Sequence, residues 1–368
     1  MLYYQGFLFI TYINRKKTCD FFKVFRGKKV KMETLLNIWN VISPYVLLVV
    51  GFVFLIKGAD FFVDGSSNVA KLLKVPSIII GLTVVAFGTS MPEASVSISS
   101  ALAGANELAV SNVVGSNIFN LLVVLGASAL IMPVCVQKDS VKKEIPFSIL
   151  CTVALLGALL LGKNAEGFTL GWVAGLILIV LFAFYMYWQI SAALKARKAG
   201  TVVEEEDDGK RISLPKSLIF IVVGIAAIIL GGNWVVNGAT AIAYKFGMSE
   251  TLVGMTIVAV GTSLPELVTS MVAAKKGESD IALGNVIGSN IFNIIFILGF
   301  SCLVSPITVG TEAIIDTIFA IVVTLVALFF SATKLKFQRW EGGVFVATYV
   351  AYLTYMILRA YELLPAIF

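Results

Sequence analysis

Two octapeptides, GTSMPEAS at residues 88–95 and GTSLPELV at residues 261–268, each place one glutamate beside a proline in apolar surroundings. No charged residue occurs between Pro76 and Phe87. A charge at the centre of a membrane helix costs about 2.5–3.5 kcal/mol, so Glu93 and Glu266 need compensation. On a helix Thr89 and Ser90 lie four and three residues before Glu93, which puts hydroxyls and carboxylate on one face. Thr262, Ser263 and Glu266 repeat the pattern. Pro92 has no N–H to give and crowds the carbonyl of Gly88, so one or two backbone oxygens between Ala86 and Thr89 are expected to lose their helical partners. At membrane depth such oxygens survive where they meet protein, water or an ion.

A second motif, GSNIFN, follows each of the first. Asn112, Ser116 and Asn120 are spaced by four, as are Asn285, Ser289 and Asn293, so each helix carries a stripe of amide and hydroxyl oxygens. Oxygen ligands without sulfur or imidazole suit hard cations, calcium taking 6–8 of them and sodium being of similar size. Two glutamates carry −2, enough to balance one Ca²⁺. Gly88, Gly115, Gly261 and Gly288 are expected to allow close backbone approach around the ion. Blander roles exist for each part: Ser and Thr bond back to their own helix, Pro kinks it, and small residues with Asn pack helices together. Both motifs recurring in one register favours the functional role.

The elements that must position these residues are membrane helices. The chain of 368 residues is 58% hydrophobic and 14% charged, with a mean hydropathy of +0.94. Apolar runs of about 20 residues recur, the mark of a polytopic helical membrane protein. The complete lack of histidine removes the commonest zinc ligand and general base, and argues against a metallohydrolase. Cys19, Cys135, Cys151 and Cys302 form no CxxC pair, and the last three read as small buried hydrophobes. The net charge of +6 reads as loop charge facing anionic lipid, with no nucleic-acid partner implied.

Ten spans are expected, near 43–66, 77–102, 108–132, 146–162, 168–190, 217–240, 250–273, 281–304, 312–332 and 341–361. Residues 81–126 align without gaps to 254–299, a shift of 173, with 23 of 46 positions identical. Gly58, Asp60 and Gly65 fall opposite Gly231, Asn233 and Gly238 in that register. Five spans per half is odd, so the halves enter the bilayer in opposite senses: an all-α fold of ten transmembrane helices in two inverted five-helix repeats. The first repeat is assigned to 43–190, a cytoplasmic linker to 191–216, and the second repeat to 217–368. With the linker inside, 16 basic residues lie on inner loops against Lys163, Lys245 and Arg359 outside, which puts the C-terminus outside. Residues 1–42 form an N-terminal extension, whose first 31 residues carry eight basic side chains on the outer side. That conflict leads to the expectation that translation starts at Met32 and that 1–31 is a misassigned start. Lys57, Asp60 and Asp64 are expected to snorkel or pair at the interface, and Glu107 and Asp280 to be solvated or to cap helices. The acidic run Glu204–Asp208 reads as a solvated linker segment.

With GTSxPE and GSNxxN paired in this way, the chain resembles the cation/calcium exchanger superfamily over residues 43–361, in the layout of prokaryotic sodium/calcium exchangers. That resemblance implies that Glu93 and Glu266 bind both Ca²⁺ and Na⁺, joined at calcium by backbone oxygens of Thr89 and Thr262. It implies sodium sites completed by Ser90, Ser263, Ser116, Ser289 and the carbonyls of Ala86 and Ala259, with Asn120 and Asn293 at the centre. Some relatives, including the potassium-dependent branch, carry Asp where Asn293 stands, which argues against potassium dependence here. The resemblance further implies antiport in the cytoplasmic membrane by alternating access, with three Na⁺ exchanged for one Ca²⁺. No cofactor beyond the transported Ca²⁺ and Na⁺ and no oligomer is required; the bilayer is the remaining partner. Proton-coupled calcium exchange is the alternative, and an intramembrane enzyme using the glutamate pair, or a channel, is a more distant rival.

Overall fold

The computed structural model describes residues 32–165, 167–200, 213–248 and 259–360, together with 253, 256 and 257. The expectations for residues 1–31 and for Glu204–Asp208 fall outside the described residues. Lipid offers the backbone no hydrogen bonds, so the apolar runs become helices. Helix α1 (Met32–Leu73) ends where Lys74 turns to φ +56° and Pro76 follows. The next span is broken into α2 (Ser77–Thr89) and α3 (Met91–Leu102), bent by 51°. Helices α4 (Glu107–Ile131), α5 (Ser140–Leu161) and α6 (Trp172–Ala199) complete the first half. The second half runs α7 (Leu214–Lys245), α8 (Ala259–Thr262), α9 (Leu264–Lys275), α10 (Ser279–Val304), α11 (Thr311–Lys334) and α12 (Arg339–Ala360). Among the described residues eight helices are long and apolar enough to cross a membrane, and the bent α2–α3 pair makes a ninth. The shorter α8 and α9 repeat that broken pair 173 residues later. The fifth span begins at Trp172, later than its apolar run, because Gly167–Leu170 pairs as a strand.

Short strands show the inversion. Strand β1 (Val134–Cys135) follows the end of α4 yet packs against the start of α10, where Gln137 hydrogen-bonds Asp280. At the opposite end β4 (Ile307–Val309) follows α10 and packs against the start of α4. Between them come β2 (Lys163–Asn164) and β3 (Gly167–Leu170), and after them β5 (Lys336–Phe337). β1 pairs antiparallel with β5, Val134 opposite Phe337, and β4 pairs antiparallel with β3, Val309 opposite Phe168. Equivalent loops of the two halves therefore cap opposite ends of one bundle.

Helices α4 and α10 form the centre, with 72% and 83% of their apolar windows buried, against 22% for α6 and 17% for α12. Helices α1 and α7 are antiparallel and in backbone contact through glycines spaced by seven: Gly51 faces Gly231, Gly58 faces Gly224, and Gly65 and Gly238 meet Ser217 and Pro44 of the opposite helix. A β-carbon on Gly231 would sit 2.7 Å from the Gly51 carbonyl oxygen, and one on Gly224 would sit 2.8 Å from that of Gly58. Small residues are what permit such approach where lipid supplies no hydrophobic drive between helices. Gly65 lies against the Ser217 carbonyl, so the C-terminal end of α1 sits at the end of the bundle that carries the linker, hereafter the linker end.

Candidate ion-binding site

The two serines of the GTSxPE motifs break their helices. Ser90 (φ −83°, ψ 8°) and Ser263 (φ −91°, ψ 7°) take bridge conformations that end α2 and α8 and start α3 and α9. Pro92 and Pro265 then fall in a first helical turn, where a missing N–H costs nothing. Glu93 and Glu266 share that turn, so their carboxylates meet the positive end of a helix dipole at the middle of the bundle. At Ala86 this differs from the expectation for Pro92. The Ala86 carbonyl is not left bare: it accepts the Ser90 N–H at 3.1 Å and lies 3.3 Å from the Thr89 hydroxyl. The chain stops one helix at serine and begins another, rather than kinking a single one at proline.

Each glutamate is held by the other repeat. Ser90 donates to Glu266 Oε1 at 2.8 Å, and Ser263 lies 2.9 Å from Glu93 Oε1 and 3.1 Å from Ser116 Oγ. Ser289 stands 3.5 Å from Glu266 Oε1. Both glutamates and all four of these serines are buried. Asn112 donates to the Glu93 carbonyl and to Ser97 Oγ, and Asn285 does the same to the Glu266 carbonyl and Ser270, so both acid-bearing turns are braced from the neighbouring helix. Thr89 is buried and donates to Asn285 Oδ1 at 2.9 Å.

Between α4 and α10 the motif GSNIFN crosses its own copy. Asn117 Nδ2 donates to the Asn290 carbonyl at 3.1 Å, and Asn290 Nδ2 to the Asn117 carbonyl at 3.2 Å. Asn120 Nδ2 reaches Asn290 Oδ1 at 3.2 Å, and Asn293 Nδ2 reaches Asn117 Oδ1 at 3.0 Å. Asn120 and Asn293 each open a π-helical stretch, 120–125 and 293–298, a widened turn that recurs at functional sites. With their amide N–H groups bound in this lattice, their oxygens are left as acceptors. Asn117 and Asn290 were not singled out from the sequence, because they lie off the four-residue stripe. Their identity in both copies was the available signal.

Four buried acceptor oxygens in this region find no donor among the described residues: Glu93 Oε2, Glu266 Oε2, Asn120 Oδ1 and Asn293 Oδ1, two from each repeat. Buried acceptors left unpaired are costly, and buried carboxylates more so. A set made only of acceptors, two of them acidic, is complementary to a cation.

The second copy is less enclosed than the first. Ala259 is exposed, and Thr262 is half-buried with its hydroxyl 3.3 Å from the Ala259 carbonyl, although that hydroxyl still lies close to the Glu93 carboxylate. A cleft of about 310 Å³ opens beside them, lined by Val235, Val236 and Ala239 of α7 and by Val260, Gly261 and Leu264. The glycines also divide. A β-carbon on Gly288 would sit 2.7 Å from the Leu82 carbonyl oxygen, a true backbone approach. Gly88 and Gly261 instead lie under the Ile225 and Val236 side chains, and Gly115 faces open space.

A two-fold set of buried acceptor oxygens at the centre of an inverted helical repeat is what a membrane cation carrier needs. The chain belongs to the sodium/calcium exchanger family, whose profile, described as "Sodium/calcium exchanger protein", matches residues 43–191 and 216–358. The sodium/calcium exchanger MaX1 of Methanosarcina acetivorans is 35% identical over 345 residues, spanning 84% of this chain and 97% of MaX1. Inner membrane protein YrbG of Escherichia coli is 38% identical over 269 residues, spanning 71% of this chain and 79% of YrbG. A solved structure of the sodium-calcium exchanger NCX_Mj matches with a TM-score of 0.73 at 33% identity, covering 85% of this chain and 99% of that one. The protein is a membrane-embedded cation/calcium antiporter, not an enzyme.

Proposed function

We propose that the protein exchanges Ca²⁺ for Na⁺ across the cytoplasmic membrane by alternating access, at a midplane site built on Glu93 and Glu266. The observation that carries this reading is the set of four orphaned oxygens, symmetric between the repeats and all acceptors. Ca²⁺ and Na⁺ take turns there because both compete for the same −2 of charge. Ser90, Ser263, Ser116 and Ser289 surround the carboxylates and supply neutral oxygens, while Asn120 and Asn293 close the centre. Main-chain oxygens of Thr89, Ala86, Thr262 and Ala259 join once α8 is drawn against the site as α2 already is.

Reorientation of the empty site would strand two bare carboxylates in an apolar core, so the gate moves when cations neutralise them. The moving part is the α1–α7 pair, tied to itself by the glycine contacts and sliding past the core. Sodium coupling is supported by the relatives, since MaX1 and NCX_Mj are both sodium/calcium exchangers by name. The linker is placed in the cytoplasm and the C-terminus outside on the distribution of basic residues.

The test is Na⁺-gradient-driven ⁴⁵Ca²⁺ uptake by the purified protein in proteoliposomes. Glu93→Gln and Glu266→Gln are expected to abolish uptake while leaving a monodisperse, folded bundle. Retained uptake in either variant would refute the assignment. Uptake driven as well by a pH gradient as by a Na⁺ gradient would transfer the function to proton coupling.

A further inference from the structure

We infer that Lys276 biases the exchanger toward the conformation closed at the linker end, by latching α1 to the turn between α9 and α10. This inference rests on the alternating-access reading above. Lys276 Nζ lies 2.7 Å from Asp64 Oδ1, 3.4 Å from Asp60 Oδ1 and 3.0 Å from the Asp60 carbonyl oxygen. On the same turn Glu278 accepts a hydrogen bond from Ser67. Asp60, Asp64 and Ser67 stand four and three residues apart, a single stripe on the face of α1 that meets α9. The turn is held in place by Gly277 at φ +80° and by the Glu278 N–H bonding the Ala273 carbonyl at 2.9 Å. Asp60 also faces Lys57 at 3.6 Å on its own helix, so the latch does not exhaust its charge.

The latch is one-sided, and that is what gives it a direction. The 173-residue register sets Asn233, Asn237 and Thr240 of α7 opposite Asp60, Asp64 and Ser67, and sets Ala103 and Ala105 opposite Lys276 and Glu278. The far end therefore has no charge complement at the equivalent positions. Thr240, the counterpart of Ser67, has no hydrogen-bond partner among the described residues. At that same end the cleft opens between α7 and α8. An inverted repeat with equal ends would favour neither face. Here ion pairs and a hydrogen bond favour one, and partly exposed pairs of this kind shift a two-state population by about 1.5- to fivefold.

The experiment uses the full chain in proteoliposomes, with half-saturating Ca²⁺ measured separately at each face. Lys276→Gln is expected to lower the half-saturating Ca²⁺ at the linker face about threefold and to raise it less than twofold at the far face, because a rare binding-competent state weakens apparent affinity in proportion to its rarity. Asp64→Asn should act in the same direction, and the swapped pair Lys276→Asp with Asp64→Lys should return both faces toward wild type. Ser66→Cys, in a chain with its native cysteines replaced by alanine, should react faster with a membrane-impermeant maleimide from the linker side once Lys276→Gln is added. Equal shifts at the two faces, or unchanged labelling of Cys at position 66, would overturn the latch. The labelling requires no transport, so its result stands whether or not sodium proves to be the coupling ion.

Discussion

At the scale of single residues, neither repeat owns a complete site. Glu266 is bonded by Ser90 and Glu93 by Ser263, so each carboxylate loses a donor when the opposite repeat is altered. A hydrogen bond to a charged acceptor contributes about 1.5–3 kcal/mol, and removing only the donor leaves the acceptor buried and unpaired. Ser90→Ala and Ser263→Ala are therefore expected to destabilise the ion-free protein by about 1–3 kcal/mol each. Ser301→Ala, which removes a buried hydroxyl with no partner among the described residues, should be close to neutral. Thermal unfolding in Na⁺- and Ca²⁺-free detergent checks the comparison, and a loss at Ser90 no larger than at Ser301 would contradict the cross-repeat bond. The glutamates and serines were legible in the sequence because a charge in an apolar run is conspicuous and because it occurs twice. Asn117 and Asn290 were not, since their partners lie across the pseudo-two-fold axis and no spacing within one helix points there.

At the scale of elements, helix existence could be read from hydropathy, whereas the helix interruptions that shape the site could not. Proline marked the place of the break but not its form: the bridge conformations at Ser90 and Ser263 start new helices whose first turns carry the acids. The π-helical stretches beginning at Asn120 and Asn293 have no residue type that announces them, and strands of two to four residues are too short to leave a period. The glycine contact between α1 and α7 makes a sharper claim. A β-carbon on Gly224 or Gly231 must displace a carbonyl oxygen of the facing helix, which cannot swing aside as a side chain can. Gly224→Ala and Gly231→Ala are expected to cost about 1–3 kcal/mol by overpacking and to slow ⁴⁵Ca²⁺ exchange, since the pair would separate and part from the core. Gly157→Ala, where nothing lies within 4 Å of the new atom, should be neutral or stabilising by up to about 1 kcal/mol. Unfolding and flux measured on the three variants decide it, and equal behaviour of Gly157 and Gly231 would remove the case for a tight helix pair.

At the scale of the whole molecule, the internal duplication makes the inverted architecture legible in the sequence. Its asymmetry stayed hidden, because the open flank at Thr262 depends on how α7 packs beside α8, which no spacing within one helix shows. In the proposed site Glu93 and Glu266 together supply −2, so one Ca²⁺ would neutralise it and three Na⁺ would leave it at +1. Under that stoichiometry each turnover carries one net charge across the bilayer, and a potential of 100 mV is worth about 2.3 kcal/mol per charge. In vesicles loaded with Na⁺, three Na⁺ leave as one Ca²⁺ enters, so positive charge moves outward and an inside-positive potential favours the exchange. Valinomycin with K⁺ in excess outside creates that potential and is expected to accelerate ⁴⁵Ca²⁺ uptake, while the reversed K⁺ gradient slows it. The same uptake at both polarities would mean an electroneutral cycle, with two Na⁺ matched to the two carboxylates.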